Sequence, residues 1–113
     1  MRKSDLREDI RWKLHYRLQG GPLVTSWSCD ISQIGLSFVC DRAVATGTPV
    51  EVLTHLIVRE HFKKMHFHGK VVYANYSGEI QGFRVGIRYT DLSDQQHADL
   101  TSFLEHIDSQ RGN

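Results

Sequence analysis

Two short stretches hold the side chains with most chemistry to offer. Arg7-Glu8-Asp9-Ile10-Arg11 sets two guanidinium groups four residues apart. Asp30-Ile31-Ser32-Gln33-Ile34-Gly35 sets a carboxylate, a hydroxyl and a glycine at fixed offsets. A guanidinium is a planar, permanently charged fork that grips oxyanions two oxygens at a time, and its flat face stacks on rings. An ionised carboxylate only accepts hydrogen bonds, whereas a serine hydroxyl both donates and accepts. These types together suit the capture of a planar anionic molecule rather than bond breaking.

The two stretches differ in weight. The arginine pair alone is weak, because Arg84 and Arg88 repeat its spacing within what reads as an ordinary exposed strand face. The second is sharper: at residue frequencies of roughly 5–7% per fixed type, a chain of this length shows it by chance only about a few times in a hundred. An Asx or serine turn with glycine at positive φ would use the same letters. Order separates the readings. The arginines come just before the first strand, and the second motif follows after one hairpin.

Nothing in the chain is arranged for catalysis. It has no nucleophile paired with a base, no glycine-rich loop opening a helix, and no carboxylate cluster for a metal. His61, His66 and His68 lie close together, but no carboxylate or cysteine partner is evident beside them and Lys63 and Lys64 oppose a cation. They read as surface histidines, with no metal and no cofactor expected. Tyr73 shares parity with Phe67 and Val71, which places it in the core. Trp12 and Trp27 likewise read as core, and Cys29 and Cys40 as reduced thiols.

Period-two alternation over the first ninety residues supplies the elements that would position these groups. Trp12 to Leu18 reads as a strand, Gln19-Gly20-Gly21-Pro22 as a turn, and Leu23 to Cys29 as a second strand. Leu36, Phe38 and Cys40 mark a third, Val50 to Val58 a fourth, Met65 to Asn75 a fifth, and Phe83 to Tyr89 a sixth. The period then changes. Ser93-x-x-Gln96 has the form of a capping box, and Leu100, Phe103, Leu104 and Ile107 recur at helical spacing. Six antiparallel strands and one helix that must pack on them predict a mainly β fold: a small antiparallel β-barrel with a C-terminal helix over 93–107.

At 113 residues the chain suits a single domain, divided into an arm over 1–11, the barrel over 12–90 and the helix. No apolar run approaches the roughly 20 residues that span a bilayer. Met1-Arg2-Lys3-Ser4-Asp5-Leu6 carries no apolar signal core, so a cytoplasmic location without membrane insertion is expected. Residues 1–18 hold six basic groups against three acidic ones, while the whole chain is nearly neutral at +1. A basic arm on a neutral body favours a small anionic ligand over a nucleic acid polymer, which needs a wider basic face.

The order of motifs and strands, ending in Gly82-Phe83-Arg84-Val85-Gly86-Ile87-Arg88-Tyr89 and then Asp91-Leu92-Ser93, resembles the PilZ domain family over about residues 7 to 107. The resemblance implies a six-stranded barrel, and a receptor for the bacterial dinucleotide cyclic di-GMP that signals to a protein partner. It implies Arg7, Arg11, Asp30, Ser32 and Gly35 as the binding residues, with Leu6 and Tyr73 as further candidates. The chemistry agrees. Guanidinium matches both the phosphodiesters and the guanine O6 and N7 edge, and Asp30 matches the guanine N1–H and N2–H₂ donors. Leu6, unlike a planar cation, would cover the mouth of the site and favour one ligand per chain. The alternatives are a PilZ-like adaptor that acts through protein contacts without ligand, and a barrel that binds single-stranded nucleic acid, against which the basic residues are too scattered.

Overall fold

The computed structural model describes residues 7–8 and 11–111, with the side chains of 11–110. Seven strands and one helix follow in order: β1 (Arg7–Glu8), β2 (Lys13–Leu18), β3 (Leu23–Ser32), β4 (Gly35–Cys40), β5 (Pro49–Val58), β6 (His61–Ser77), β7 (Gly82–Thr90) and α1 (Asp94–Arg111). Every pairing is antiparallel, and the order β3-β2-β5-β6-β7-β4 is closed by pairing of β4 with β3. The predicted six-stranded barrel is therefore present, and β1 is a two-residue addition to the edge of β3.

The alternating apolar residues fill the barrel. Leu14, Ile31, Phe38, Val52, Phe67 and Val85 lose all exposure, and Tyr16 stacks on Phe38 with ring centroids 4.6 Å apart. Burial, with a hydrogen bond to Cys40, pushes the Tyr16 phenol far above its ordinary range, so it stays neutral and donates to the Cys40 sulfur at 3.3 Å. Trp12 packs on the margin of this core, its indole N–H donating to Thr54 Oγ1 at 2.6 Å.

The helix starts where the capping box predicts. The Gln96 N–H donates to Ser93 Oγ at 3.1 Å, and the Ser93 N–H donates to Gln96 Oε1 at 3.0 Å. Leu100, Phe103 and Leu104 then bury one face of α1, with Ile107 half-buried beside them. Helix α1 also reaches the second motif, where Gln33 Nε2 donates to Thr101 Oγ1 at 3.1 Å.

Two features differ from the sequence reading of the strands. β6 begins at His61 rather than Met65, because Arg59 and Glu60 take φ of 47° and 70° and close a two-residue hairpin directly onto β5. β3 runs on through Ser32, so Asp30 and Ser32 are strand residues and only Gln33 and Ile34 connect to β4.

Candidate functional site

Two irregularities in the ladder create the site. Between β3 and β4 the register shifts at Cys29, with Ser28 opposite Phe38 but Asp30 opposite Ser37. Between β6 and β7 it shifts at Val72, with Val71 opposite Ile87 but Tyr73 opposite Gly86. One extra residue in a strand inverts every later side chain. Ser28 and Val71 face the core, so without the bulges Asp30 and Tyr73 would face it too. With them, Asp30, Ser37, Gly86 and Tyr73 form one row across β3, β4, β7 and β6 on the outer wall.

The expectation that Tyr73 belongs to the core is thus corrected. Its ring lies against Gly86, where any side chain would collide with it, and is half-buried at the edge of a cleft. That cleft has a volume of about 290 Å³, and its walls include Asp30, Ser32, Gly35, Tyr73 and Arg88. A second cleft of about 420 Å³ has Arg11, Cys29, Asn75, Tyr76 and Arg84 among its walls. The Arg84 guanidinium of the second cleft is 3.9 Å from Asp30 of the first.

Each motif residue can now be placed. Asp30 is buried and accepts a hydrogen bond from Ser37 Oγ at 2.7 Å. The Ser32 hydroxyl donates to the Gly35 carbonyl at 3.2 Å and accepts the N–H groups of Ile34 and Gly35, so it shapes the β3–β4 turn. Gly35 is not at positive φ, unlike Gly20 and Gly47, which corrects the turn-glycine reading. It is required by close approach: a Cβ there would run into the Ile87 carbonyl across the β4–β7 pairing. Tyr89 is buried beneath the motif and donates to the Ser32 carbonyl at 3.1 Å. Burial, and secondarily the negative charge of Asp30, pushes its phenol far up and keeps that donor protonated.

The arginine motif meets this wall through the backbone. Arg7 is the register partner of Ser32, and Glu8 that of Ile31. Arg11 lines the second cleft with its guanidinium 5.4 Å from the centre of the Trp27 ring. Trp27 is therefore not core. It is 44% exposed, because the inward positions of β3 are taken by the small residues Ser26 and Ser28 and the half-buried Val24. Leu6 lies outside the described residues.

Arg84 and Arg88 are more than an ordinary strand face: Arg84 lines the second cleft and Arg88 the first. Arg84 is half-buried, and its Nε finds no hydrogen-bond partner among the described residues. Burial works against its charge, yet the fields of Cys29, Asp30 and Tyr73 outweigh that and raise its pKa. The wall thus carries a fixed cation with unused donor capacity, an acceptor, and a half-exposed aromatic ring.

A model of the PilZ domain matches residues 5–106. The chain belongs to the PilZ domain family. Solved structures share its fold at identities of 13–15%, which speak for the fold alone. The inhibitor of motility MotI/DgrA of Bacillus subtilis superposes with a TM-score of 0.84 at 13% identity, over 100% of this chain and 54% of that one. YcgR of Escherichia coli, solved in complex with c-di-GMP, gives 0.71 at 14% identity over 92% and 45%. The PilZ domain of CeSA from a cellulose-synthesising bacterium gives 0.66 at 15% identity over 90% and 97%. This PilZ chain therefore spans about half the length of the first two. A comparison with curated proteins gave no significant match. Among the described residues no helix is long and apolar enough to cross a membrane.

Proposed function

We propose that this PilZ domain is a cyclic di-GMP receptor that acts by binding, without catalysis, and passes the signal to a protein partner. The observation that carries the reading is the row created by the two bulges, with Asp30 and Tyr73 on the wall against which Arg7 pairs. A cyclic dinucleotide needs cations for two phosphodiesters, an acceptor for the guanine N1–H and N2–H₂ groups, and flat surfaces for its bases. Arg7, Arg11 and Arg84 supply the cations, Asp30 the acceptor, and Tyr73 a ring. Ser32 and Gly35 serve by holding the turn and the close β4–β7 approach. Two neighbours lend weight: YcgR was solved with c-di-GMP, and MotI/DgrA is an inhibitor of motility.

Output follows from the same contacts. Ligand that draws the arm onto the wall would shift the β3–β4 turn, and Gln33 couples that turn to α1 through Thr101. The adaptor reading is favoured by one observation, the exposed apolar residues Ile34 and Val72 at the rim of the first cleft. A titration series with cyclic di-GMP, cyclic di-AMP, GTP and a short oligonucleotide decides between them. Saturable, selective binding of cyclic di-GMP, at one ligand per chain and rising toward two in Leu6→Arg, is expected. Folded protein that gives no heat with cyclic di-GMP would leave the adaptor reading in its place. Binding of the oligonucleotide alone, falling steeply with salt, would overturn both.

A further inference from the structure

Away from these clefts, β5 and β6 bring three metal-ligating side chains together on the outer face of the barrel. His66 and His68 are two apart on β6 and so share a face, and Glu51 on β5 is the register partner of His68. One donor atom from each lies within 4.8 Å of the other two. His66 Nε2 is 2.9 Å from Glu51 Oε1, and the two imidazole rings are 4.6 Å apart between centroids. The sequence displays the imidazoles, but the carboxylate comes from the neighbouring strand through register alone.

The backbone under the cluster is fixed. It is held by the ladder between β5 and β6, and Gln96 Nε2 at the start of α1 donates to the His66 carbonyl at 2.7 Å. Glu51 and His68 also border a cleft of about 320 Å³, which leaves one side of the cluster open.

We propose that Glu51, His66 and His68 form a three-ligand site for a divalent late first-row metal ion, with zinc as the test ion. Two imidazoles and a carboxylate suit such ions, and three protein ligands with an open fourth position are a recurrent zinc arrangement. Zinc–ligand bonds of about 2.0–2.2 Å put tetrahedral donors about 3.3 Å apart. Side-chain rotation closes the cluster to that spacing while the strands stay in place. Bound metal would clip β5 to β6 at the point where α1 begins, and Arg17 would lower its affinity.

Equilibrium titration of the untagged full chain with Zn²⁺ tests this. One ion per chain is expected, weakened at least about tenfold in Glu51→Gln and in His68→Gln. His61→Gln removes an exposed imidazole of the same strand outside the cluster and should leave the affinity within about twofold. No binding, an equal loss in His61→Gln, or full affinity in Glu51→Gln would overturn the assignment. The wild-type protein offers a second readout free of folding effects. Co²⁺ should acquire the intense visible bands of low coordination, and the pale spectrum of hexaaqua cobalt would overturn the site.

Discussion

Two buried aspartates show how differently this barrel treats its charges. Asp99 on α1 is 1% exposed, 2.6 Å from Lys63 and 3.6 Å from Arg59, and it accepts from Gln95 at 2.9 Å. Asp30 on β3 is 7% exposed and held by Ser37, while the guanidinium of Arg84 stands off at 3.9 Å. The partners of Asp99 come from its own helix and from the end of the β5–β6 hairpin, so the cluster pins α1 to the barrel. Asp30 and Arg84 come from β3 and β7 and line one cleft each, with Arg84 Nε lacking a partner among the described residues. The first cluster is closed and holds the fold. The second leaves one buried donor, Arg84 Nε, without a hydrogen-bond partner among the described residues.

That contrast can be broken by substitution. The largest effect is expected for Arg7→Ala and Arg11→Ala. Each removes charge-assisted contacts of about 1.5–3 kcal/mol, so cyclic di-GMP affinity should fall about ten- to a hundredfold in calorimetry. The melting temperature without ligand should scarcely move, because both lie ahead of the barrel. Gly35→Ala should act in the opposite sense. Its new Cβ has nowhere to go but into the Ile87 carbonyl, and overpacking of this kind costs about 1–3 kcal/mol of stability, read by urea denaturation.

Asp30→Ala sharpens the comparison further. It should weaken cyclic di-GMP binding and shrink discrimination against cyclic di-AMP, whose adenine lacks the N1–H and N2–H₂ donors. Unchanged discrimination would make Asp30 a structural residue like Asp99. Asp99→Asn is expected to lower stability by on the order of 1 kcal/mol, since its cations are half exposed, and to leave ligand affinity unchanged. A smaller effect is a pH dependence. Burial alone would raise the Asp99 pKa, but Lys63, Gln95 and Arg59 outweigh it and the folded value is lowered. Its contribution is therefore complete above about pH 4 and is lost as pH falls through the folded value. An acid denaturation series on wild type and Asp99→Asn should converge at the acid end.

Much of this was legible in the sequence, and what was not has a common cause. The strands, the helix stripe and the Ser93–Gln96 cap follow from local periodicity and local hydrogen bonds, and the structure has them. The misplacement of Tyr73 came from carrying period-two parity across Val72, where the bulge inverts it. The doublet Val71-Val72 breaks the alternation and was the available clue, as Cys29 was within Ser28-Cys29-Asp30. Trp27 was misjudged because a large ring implies burial only when its strand's other face is not already turned inward. Arg84 was beyond reach of the sequence. Alternation says that it points outward, but only the closure of β4 onto β7 and β3 brings Asp30 beside it.

The central claim is that the ligand occupies the bulged wall of β3, β4, β7 and β6 and not the helix-covered side. Backbone amide chemical shifts recorded with and without saturating cyclic di-GMP test it directly. The account predicts large shifts at 7–8, 28–37, 72–76 and 84–88, with the β5–β6 hairpin around Arg59 and Lys63 unchanged. Shifts concentrated on that hairpin and the Asp99 face of α1, with the wall unmoved, would contradict it.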